Sequence, residues 1–284
     1  MKVVITPNPY RDKNLRCAME AKSILERVGI KTAICLAFEV DKDFTLPRNV
    51  HLKDLERELK DCDVLVCFGG DGTMLHASKA ATRYGVPILG VNIGTMGFMT
   101  ELEAGETAKL AELVKRNYML EDRMMLDVSV IRDGETVHHE QALNDAVVTK
   151  GAVARIIQMS LFCDGVEAMN FGGDGVIVCT PTGSTGYSLS AGGPVVEPAA
   201  ENIILTPICA HTMMSRTVVA GGNRIVDVKI GRIGRKNAFL SVDGGRAFRL
   251  NAGDIVRVRR SECVTRLVKF GEKNFFDILN NKLG

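Results

Sequence analysis

The chain has 284 residues, 46% of them apolar and 25% charged, and its 36 basic and 34 acidic side chains leave a formal charge of +2. That length suits two medium domains, with enough apolar sequence for packed cores. The near-neutral balance excludes the electrostatic footprint of a dedicated nucleic-acid binder, and no apolar run reaches membrane-spanning length.

In chain order, Lys2 to Thr6 reads as a buried strand, Asn14 to Val28 as an amphipathic helix, and Lys31 to Leu36 as a second strand after the stop at Gly29. Leu52 to Lys60 predicts another helix, Asp63 to Phe68 an apolar strand, Thr73 to Tyr84 a helix ended by Gly85, and Pro87 to Asn92 a further strand. Strands alternating with helices predict a parallel sheet covered on both faces, with ligands beyond the carboxyl ends of the strands. After a helix near Glu106 to Arg116 the pattern changes. Val128 to Ile131 and Glu135 to Val137 flank an Asp133-Gly134 turn, a hairpin signature. Asn144 to Thr149, Ile156 to Cys163, Ile225 to Ile230, Ala238 to Val242, Asp254 to Val258 and Val264 to Val268 read as further strands, and Asn274 to Lys282 as a last helix.

The fold expected is therefore an α/β domain with a parallel sheet over residues 1–118 and a mainly-β, sandwich-like domain over 119–268. Residues 269–284 are expected to pack back on the first. The eight cysteines are scattered, mostly within apolar runs and without zinc-ligand spacing, so they read as reduced core thiols. With an amino terminus that enters a β-branched run directly, they point to a cytoplasmic address. Arg257, Arg259 and Arg260 alternate with valine and are expected on a strand's solvated face. His138 and His139, adjacent on a strand, point to opposite faces and read as surface or filler residues.

The strongest chemical signal is Gly69-Gly70-Asp71-Gly72-Thr73, set between a buried strand and a helix. Glycines there let the backbone approach a ligand, and the free amides of the following helix point at anything anionic. The helix-end field contributes only roughly 0.3 to 1 kcal/mol, so a metal ion or side-chain cations must supply the rest of any phosphate affinity. A carboxylate beside a phosphate is repelled unless it binds metal or takes a proton, and the proton role suits phosphoryl transfer. The bland alternative is that Asp71 caps the helix and the glycines only turn the chain.

A second signal runs from Gly172-Gly173-Asp174-Gly175 through Thr180-Pro181-Thr182-Gly183-Ser184-Thr185-Gly186-Tyr187-Ser188 to Ser190 and Gly193-Pro194. Small hydroxyl residues offer amides and hydroxyls to a nucleotide's edges and phosphates, and Tyr187 offers a ring. A Ser/Thr-rich turn with a capped helix is the alternative. Asn144-Asp145, at the start of an apolar strand, suits ribose hydroxyls, although an Asx turn explains the pair alone as well.

Taken in order and spacing, these segments resemble the NAD kinase family, with Ile208 to Arg216 and Ser241-Val-Asp243-Gly244 as two looser matches. The resemblance implies an enzyme that phosphorylates the adenosine 2′-hydroxyl of NAD with ATP or polyphosphate. It makes Asp71 the residue that activates that hydroxyl, and Gly69, Gly70, Gly72 and Thr73 the holders of the triphosphate. It implies that Asn144, Asp145, Thr182, Thr185, Gly186, Tyr187, Ser190 and Asp243 bind NAD, and that Asp174 faces the nicotinamide half, from a neighbouring subunit if the site is shared. Mg²⁺ or another divalent cation would arrive with the nucleotide rather than in a permanent cage, and the chain would assemble as a homodimer or homotetramer. Three positions depart from the family's pattern: Asp145 where many members have Glu, Gly186 where Ala is common, and Gly172 where some carry Arg.

The glycine loop alone also fits lipid kinases acting on diacylglycerol or sphingosine, and a non-catalytic dinucleotide sensor could share the scaffold. A lipid kinase needs an acyl-chain pocket or membrane face, which this sequence does not display. A hydride-transferring dehydrogenase is excluded because Asn8, Pro9 and Tyr10 follow the first strand in place of Gly-x-Gly-x-x-Gly.

Overall fold

The computed structural model describes residues 1–38, 40, 46–47, 50–95, 97–151, 156–211, 216–232, 237–271 and 273–283, without the side chain of residue 283. Of the looser segment from Ile208 to Arg216, positions 212–215 lie outside the described residues. The chain forms two compact units, Met1–Asp122 with Thr265–Gly284, and Arg123–Val264.

In the first unit, β1 (Lys2–Pro7), β2 (Lys31–Ile34), β3 (Val64–Gly69) and β4 (Ile88–Asn92) pair in parallel in the order β2-β1-β3-β4. β1, β3 and β4 are buried along almost their whole length because both faces are covered, whereas β2 at the edge starts with an exposed Lys31. Val3, Ile5, Val64 and Val66 join one cluster with Ala18, Ala21, Ile24 and Leu25 of helix α1 (Arg16–Arg27). On the opposite face α3 (Asp71–Arg83) brings Met74 so close to Gly90 that a Cβ there would meet its sulfur at 2.9 Å. The first helix starts later than its periodicity predicts, because Asn14 and Leu15 have positive φ. The Asp12 carboxylate instead accepts the N–H groups of Cys17 and Ala18. The second helix shrinks to α2 (Leu55–Leu59), capped by Asp54 accepting the Arg57 N–H, since Leu52 is taken into a bridge with Ile34. After β5 (Leu102–Glu103), the segment Ala104–Lys115 is a 3-10 helix rather than an α-helix, entered through reciprocal bonds between Glu103 and Glu106.

β6 (Met119–Arg132) enters the second unit at Arg123 and forms a hairpin with β7 (Glu135–Ala142), its Asp133-Gly134 turn at φ 52° and 86°. Both positive angles match the turn that the Asp-Gly pair predicts. Then come β8 (Asp145–Lys150), β9 (Ile157–Cys163), β10 (Val166–Gly173), β11 (Gly175–Cys179), the single turn α4 (Tyr187–Ser190), β12 (Asn202–Ile208), β13 (Val218–Gly221), β14 (Val226–Ile230), β15 (Ala238–Val242) and β16 (Phe248–Leu250). β17 (Ile255–Lys269) joins two segments read as separate strands and carries the chain back into the first unit.

Six strands form one sheet in the order β13-β12-β11-β8-β15-β16, while β10, β9, β14 and β17 pair in that order in another. Alternate residues of both, such as Val148, Val176 and Leu240 with Leu161, Val228 and Val256, share one cluster, as the sandwich reading requires. β8 and β11 are buried on their second face too, where Val147, Ile177 and Cys179 meet Ala191 and Val196. That double burial explains the unbroken Val-Ile-Val run of β11.

Burial patterns answer three sequence readings. Arg257, Arg259 and Arg260 are exposed, with Arg257 gripping Asp227 through two 2.8 Å bonds and Arg260 paired to Glu201. The thiols are all free, but Cys209 and Cys263 are exposed rather than core residues. Cys209 has φ 45°, and Cys263 lies on the solvent side of β17. His138 stacks on Phe248 at 4.3 Å and bonds Glu140, so it fills a half-buried niche.

The returning segment is fastened to the first unit by a buried ion pair. Leu267 pairs with Ile88 of β4, the Lys269 ammonium lies 3.1 Å from Glu101, and the Phe270 N–H donates to the same carboxylate. Glu101 is 2% and Lys269 10% exposed at the side chain. Lys269→Met would leave the carboxylate buried without its cation, and removing one partner of such a pair costs about 3 to 5 kcal/mol. Urea unfolding should show a lower midpoint at unchanged slope; an unchanged midpoint would mean that water reaches Glu101.

Candidate active site

The sheet order changes direction at β1. The chain goes from β1 outward to β2 on one side and later to β3 on the other, and the crevice at such a switch point is where α/β sheets hold ligands. A cavity of about 590 Å³ lies there, lined by Asn8 and Arg11 after β1, Gly70 to Thr73 after β3, Thr95 and Gly97 after β4, and by Phe38, His76 and Lys282.

Gly70, not Asp71, is the cap residue of α3, and no side chain caps the helix. The Asp71 carboxylate turns across to the loop after β4, where Oδ2 accepts the Phe98 N–H at 2.9 Å and Oδ1 the Met99 N–H at 3.0 Å. Gly97 makes this possible, because a Cβ there would lie 2.3 Å from Oδ1. The carboxylate is therefore fixed in direction yet about a third exposed, and it borders the cavity. Carboxylates that accept two backbone bonds are well oriented proton acceptors.

The neighbours of Asp71 divide the work. Thr73 is buried, and its hydroxyl accepts from the Asn8 amide at 3.0 Å. Gly69 lacks a Cβ where one would sit 2.2 Å from that hydroxyl. Gly72 has open space beside it. Thus Gly69 and Thr73 close the turn, whereas Gly70 and Gly72 leave room for a ligand. Asn8, Arg11, Gly97 and Lys282 escaped the sequence reading because they lie far from the loop in the chain. The one local hint was the Asn8-Pro9-Tyr10-Arg11 turn placed directly after the first strand.

The second unit gathers most of the other predicted residues at one end of its six-stranded sheet. Register pairs Asp145 of β8 with Cys179 of β11, and Ala146 with Val242 of β15, so Asn144, Thr180 and Asp243 meet there. Asp243, with φ 51°, accepts the N–H groups of Leu143, Asn144 and Asp145 at 2.8, 2.8 and 3.0 Å. Thr180 bonds the carbonyl of Leu143 through its hydroxyl and that of Asn144 through its N–H. Gly183 packs on the same backbone, where a Cβ would come within 2.2 Å of the Asn144 carbonyl. The Asn144 side chain is left with a buried Oδ1 that has no hydrogen-bond partner. An orphaned amide oxygen of this kind marks a place for a ligand donor.

Within the hydroxyl run, Ser184 and Ser188 are buried and used as scaffolding. Ser184 bonds Pro181 and Val196, and Ser188 bonds Thr206. Thr182 is buried and receives a bond from Arg123 at 3.4 Å, a residue with no sequence motif. Gly186, Tyr187 and Ser190 are exposed on or beside the single turn α4, and Thr185 is half-buried. Asp174 stands apart. It precedes β11 and pairs with Lys150 at 2.7 Å, at the opposite end of the strand from Thr180. At about 3.3 Å per residue, the two ends are roughly 20 Å apart along the chain.

Two family models match the chain: the ATP-NAD kinase N-terminal domain over residues 3–118 and the ATP-NAD kinase C-terminal domain over residues 143–270. A NAD kinase from Ruminiclostridium cellulolyticum is 33% identical over 99% of this chain and 97% of its own length, and one from Symbiobacterium thermophilum is 43% identical over 78% and 79%. Among solved structures, yeast NADH kinase complexed with NADH superposes with a TM-score of 0.86 at 28% identity, covering 100% of this chain and 87% of that one. An NAD kinase from Archaeoglobus fulgidus in complex with ATP gives 0.76 at 28% identity, covering 100% and 98%.

The Asp145 carboxyl is pushed up to about 7, first by burial and then by the charge of Asp243. In the unfolded chain an aspartate titrates near pH 3.9, so the folded state holds the extra proton between about pH 4 and pH 7. This group's contribution to stability is thus full below that window and lost as pH rises through it. Asp145→Asn should remove a fall of roughly 2 to 3 kcal/mol between pH 5 and pH 8 in urea unfolding. An identical pH dependence in both proteins would show that Asp145 is ionised throughout.

Proposed function

The chain belongs to the ATP-NAD kinase family, and from that premise we propose that it makes NADP by moving the γ-phosphoryl group of ATP, or the end group of polyphosphate, to the adenosine 2′-hydroxyl of NAD. The observation that carries the mechanism is the Asp71 carboxylate, held by the Phe98 and Met99 N–H groups at the edge of the glycine-loop cavity. A base fixed in direction can accept the hydroxyl proton as the phosphorus–oxygen bond forms, and holding donor and acceptor in line supplies most of the remaining rate.

In this reading the first unit holds the donor. Gly70 and Gly72 admit its phosphates to the amides at the start of α3, while Gly69 and Thr73 keep the loop closed. The second unit recognises NAD. Asn144 offers its unpartnered Oδ1 to a ribose hydroxyl, Asp145 accepts from the same diol, and Thr182, Thr185, Gly186, Tyr187 and Ser190 line the adenosine pocket. Asp243 acts by fixing the Leu143–Asp145 backbone. Asp174, a strand's length from these groups, would serve the site of a neighbouring copy, which accords with a homodimer or homotetramer.

Among the described residues no three His, Cys, Asp or Glu side chains converge on one point, while the free amides at the start of α3 suit phosphate oxygens. In this reading Mg²⁺ or another divalent cation would come with the nucleotide, and when bound it offsets charge on those oxygens. No described helix is long and apolar enough to cross a membrane. We assign the enzyme to the cytoplasm, on its eight free thiols.

NADP formation from NAD, ATP and Mg²⁺ by the purified protein, with diacylglycerol as a parallel acceptor, tests the reading. Asp71→Asn keeps size and loses the base, so kcat should fall about 10²- to 10⁴-fold with little change in NAD affinity. Unimpaired turnover would remove Asp71 as base, and NAD binding without NADP formation would make the protein a sensor.

A further inference from the structure

Two cations reach the glycine-loop cavity from parts of the first unit outside the motif. Arg11 stands in the turn after β1. Its guanidinium lies over the backbone of both neighbouring loops, so close that a Cβ on Gly70 or Gly94 would meet Nη1 at 3.3 or 3.2 Å. Lys282 comes from helix α5 (Phe275–Leu283), near the other end of the sequence. Its ammonium sits 3.6 Å from Oδ2 of Asp71 and 4.4 Å from the centre of the Phe98 ring. Phe275 of the same helix lies 6.1 Å from that ring. Thus α5 is docked on the residue whose N–H orients the carboxylate, and it delivers a cation to the carboxylate's open side.

This arrangement addresses an electrostatic problem in the reading above, on which the inference rests. Asp71 must remain charged to accept a proton, yet a terminal phosphate in the same cavity repels it. A cation between the two relieves the repulsion. The ammonium–carboxylate distance of 3.6 Å is longer than a direct hydrogen bond, so Lys282 is held by charge and by the aromatic face rather than locked to Asp71. Its four-carbon stem lets a point charge move within reach of a second anion.

We propose that Lys282 is an exchangeable counter-ion: it rests beside Asp71 before the donor binds, then turns to the donor's terminal phosphate, which it clamps together with Arg11. The amides of the glycine loop hold the inner phosphates and the two side chains the outer one. Asp71 is then free to take the acceptor's proton while a positive charge still separates it from the phosphoryl group. Lys282 therefore acts on the donor and leaves recognition of NAD untouched.

The test uses inorganic tripolyphosphate, titrated calorimetrically into the full chain without NAD, beside steady-state kinetics with ATP and NAD. A charge-assisted contact corresponds to about ten- to a hundredfold in affinity. Lys282→Met should weaken tripolyphosphate binding and raise KM for ATP by that factor, with KM for NAD unchanged. Lys282→Arg should restore most of both, and Arg11→Met should weaken tripolyphosphate similarly. Unaltered tripolyphosphate binding in Lys282→Met overturns the proposal. So does equal loss in Lys282→Met and Lys282→Arg with a lower melting temperature in each, which would make α5 a packing element only. Lys282-dependent tripolyphosphate binding without NADP formation would keep this inference and sink the kinase reading, and NADP formation with Lys282-independent binding would do the reverse.

Discussion

The bonds from the Phe98 and Met99 N–H groups to the Asp71 carboxylate join the start of α3, just after β3, to the loop after β4, and the rest of the glycine-loop crevice is arranged around them. A polar side chain at the cap position ordinarily takes up the first free amides of a helix. Here the Asp71 side chain is drawn away, Gly70 occupies the cap position, and the amides at the start of α3 stay available. Gly97 is required because any side chain would collide with the carboxylate, and Gly69 because Thr73 must close beneath it. One pair of hydrogen bonds thereby decides where the Asp71 carboxylate points and leaves the helix terminus open.

The second unit solves a similar problem with another aspartate. Asp243 accepts three successive N–H groups of the turn before β8, which holds Leu143, Asn144 and Asp145 in a conformation that no strand ladder would enforce. The arrangement has an electrostatic cost, since Asp145 lies buried beside the charge of Asp243. Ordinary packing would avoid two carboxyl groups so placed, and such conflicts are characteristic of binding sites.

The sequence revealed those parts of the molecule whose chemistry is local. The alternation of strands and helices, the Asp133-Gly134 hairpin and the glycine loop all announce themselves within a few residues of one another. The Asp164-Gly165 hairpin carries the same positive-φ signal, at 50° and 82°, but β10 lacks an apolar alternation, since Val166, Glu167 and Ala168 are all exposed. Asn8, Arg11 and Lys282 could not be read, because nothing near them in the chain shows that three separate segments converge on one crevice. The same limit applies to Asp243, whose motif hinted at a ligand while its carboxylate is spent on the backbone of Leu143–Asp145. Asp174 shows the converse: it lies six residues before Thr180, yet a straight strand carries it to the far end of the sheet.

The path of the chain also governs how the protein can be made. β4 gains its partner Leu267 only after the whole of 123–264 has been synthesised, and the Glu101–Lys269 pair and α5 come later still. While the ribosome works through the second unit, the first 122 residues carry a β4 edge closed by β5 only at Val91 and Asn92, and a Glu101 without its cation. Such an edge invites wrong pairing with other chains. Nascent chains stalled anywhere before residue 265 should therefore be the aggregation-prone species, and the emergence of Thr265 to Lys282 is the moment at which the crevice lined by Asp71 and Lys282 first becomes whole.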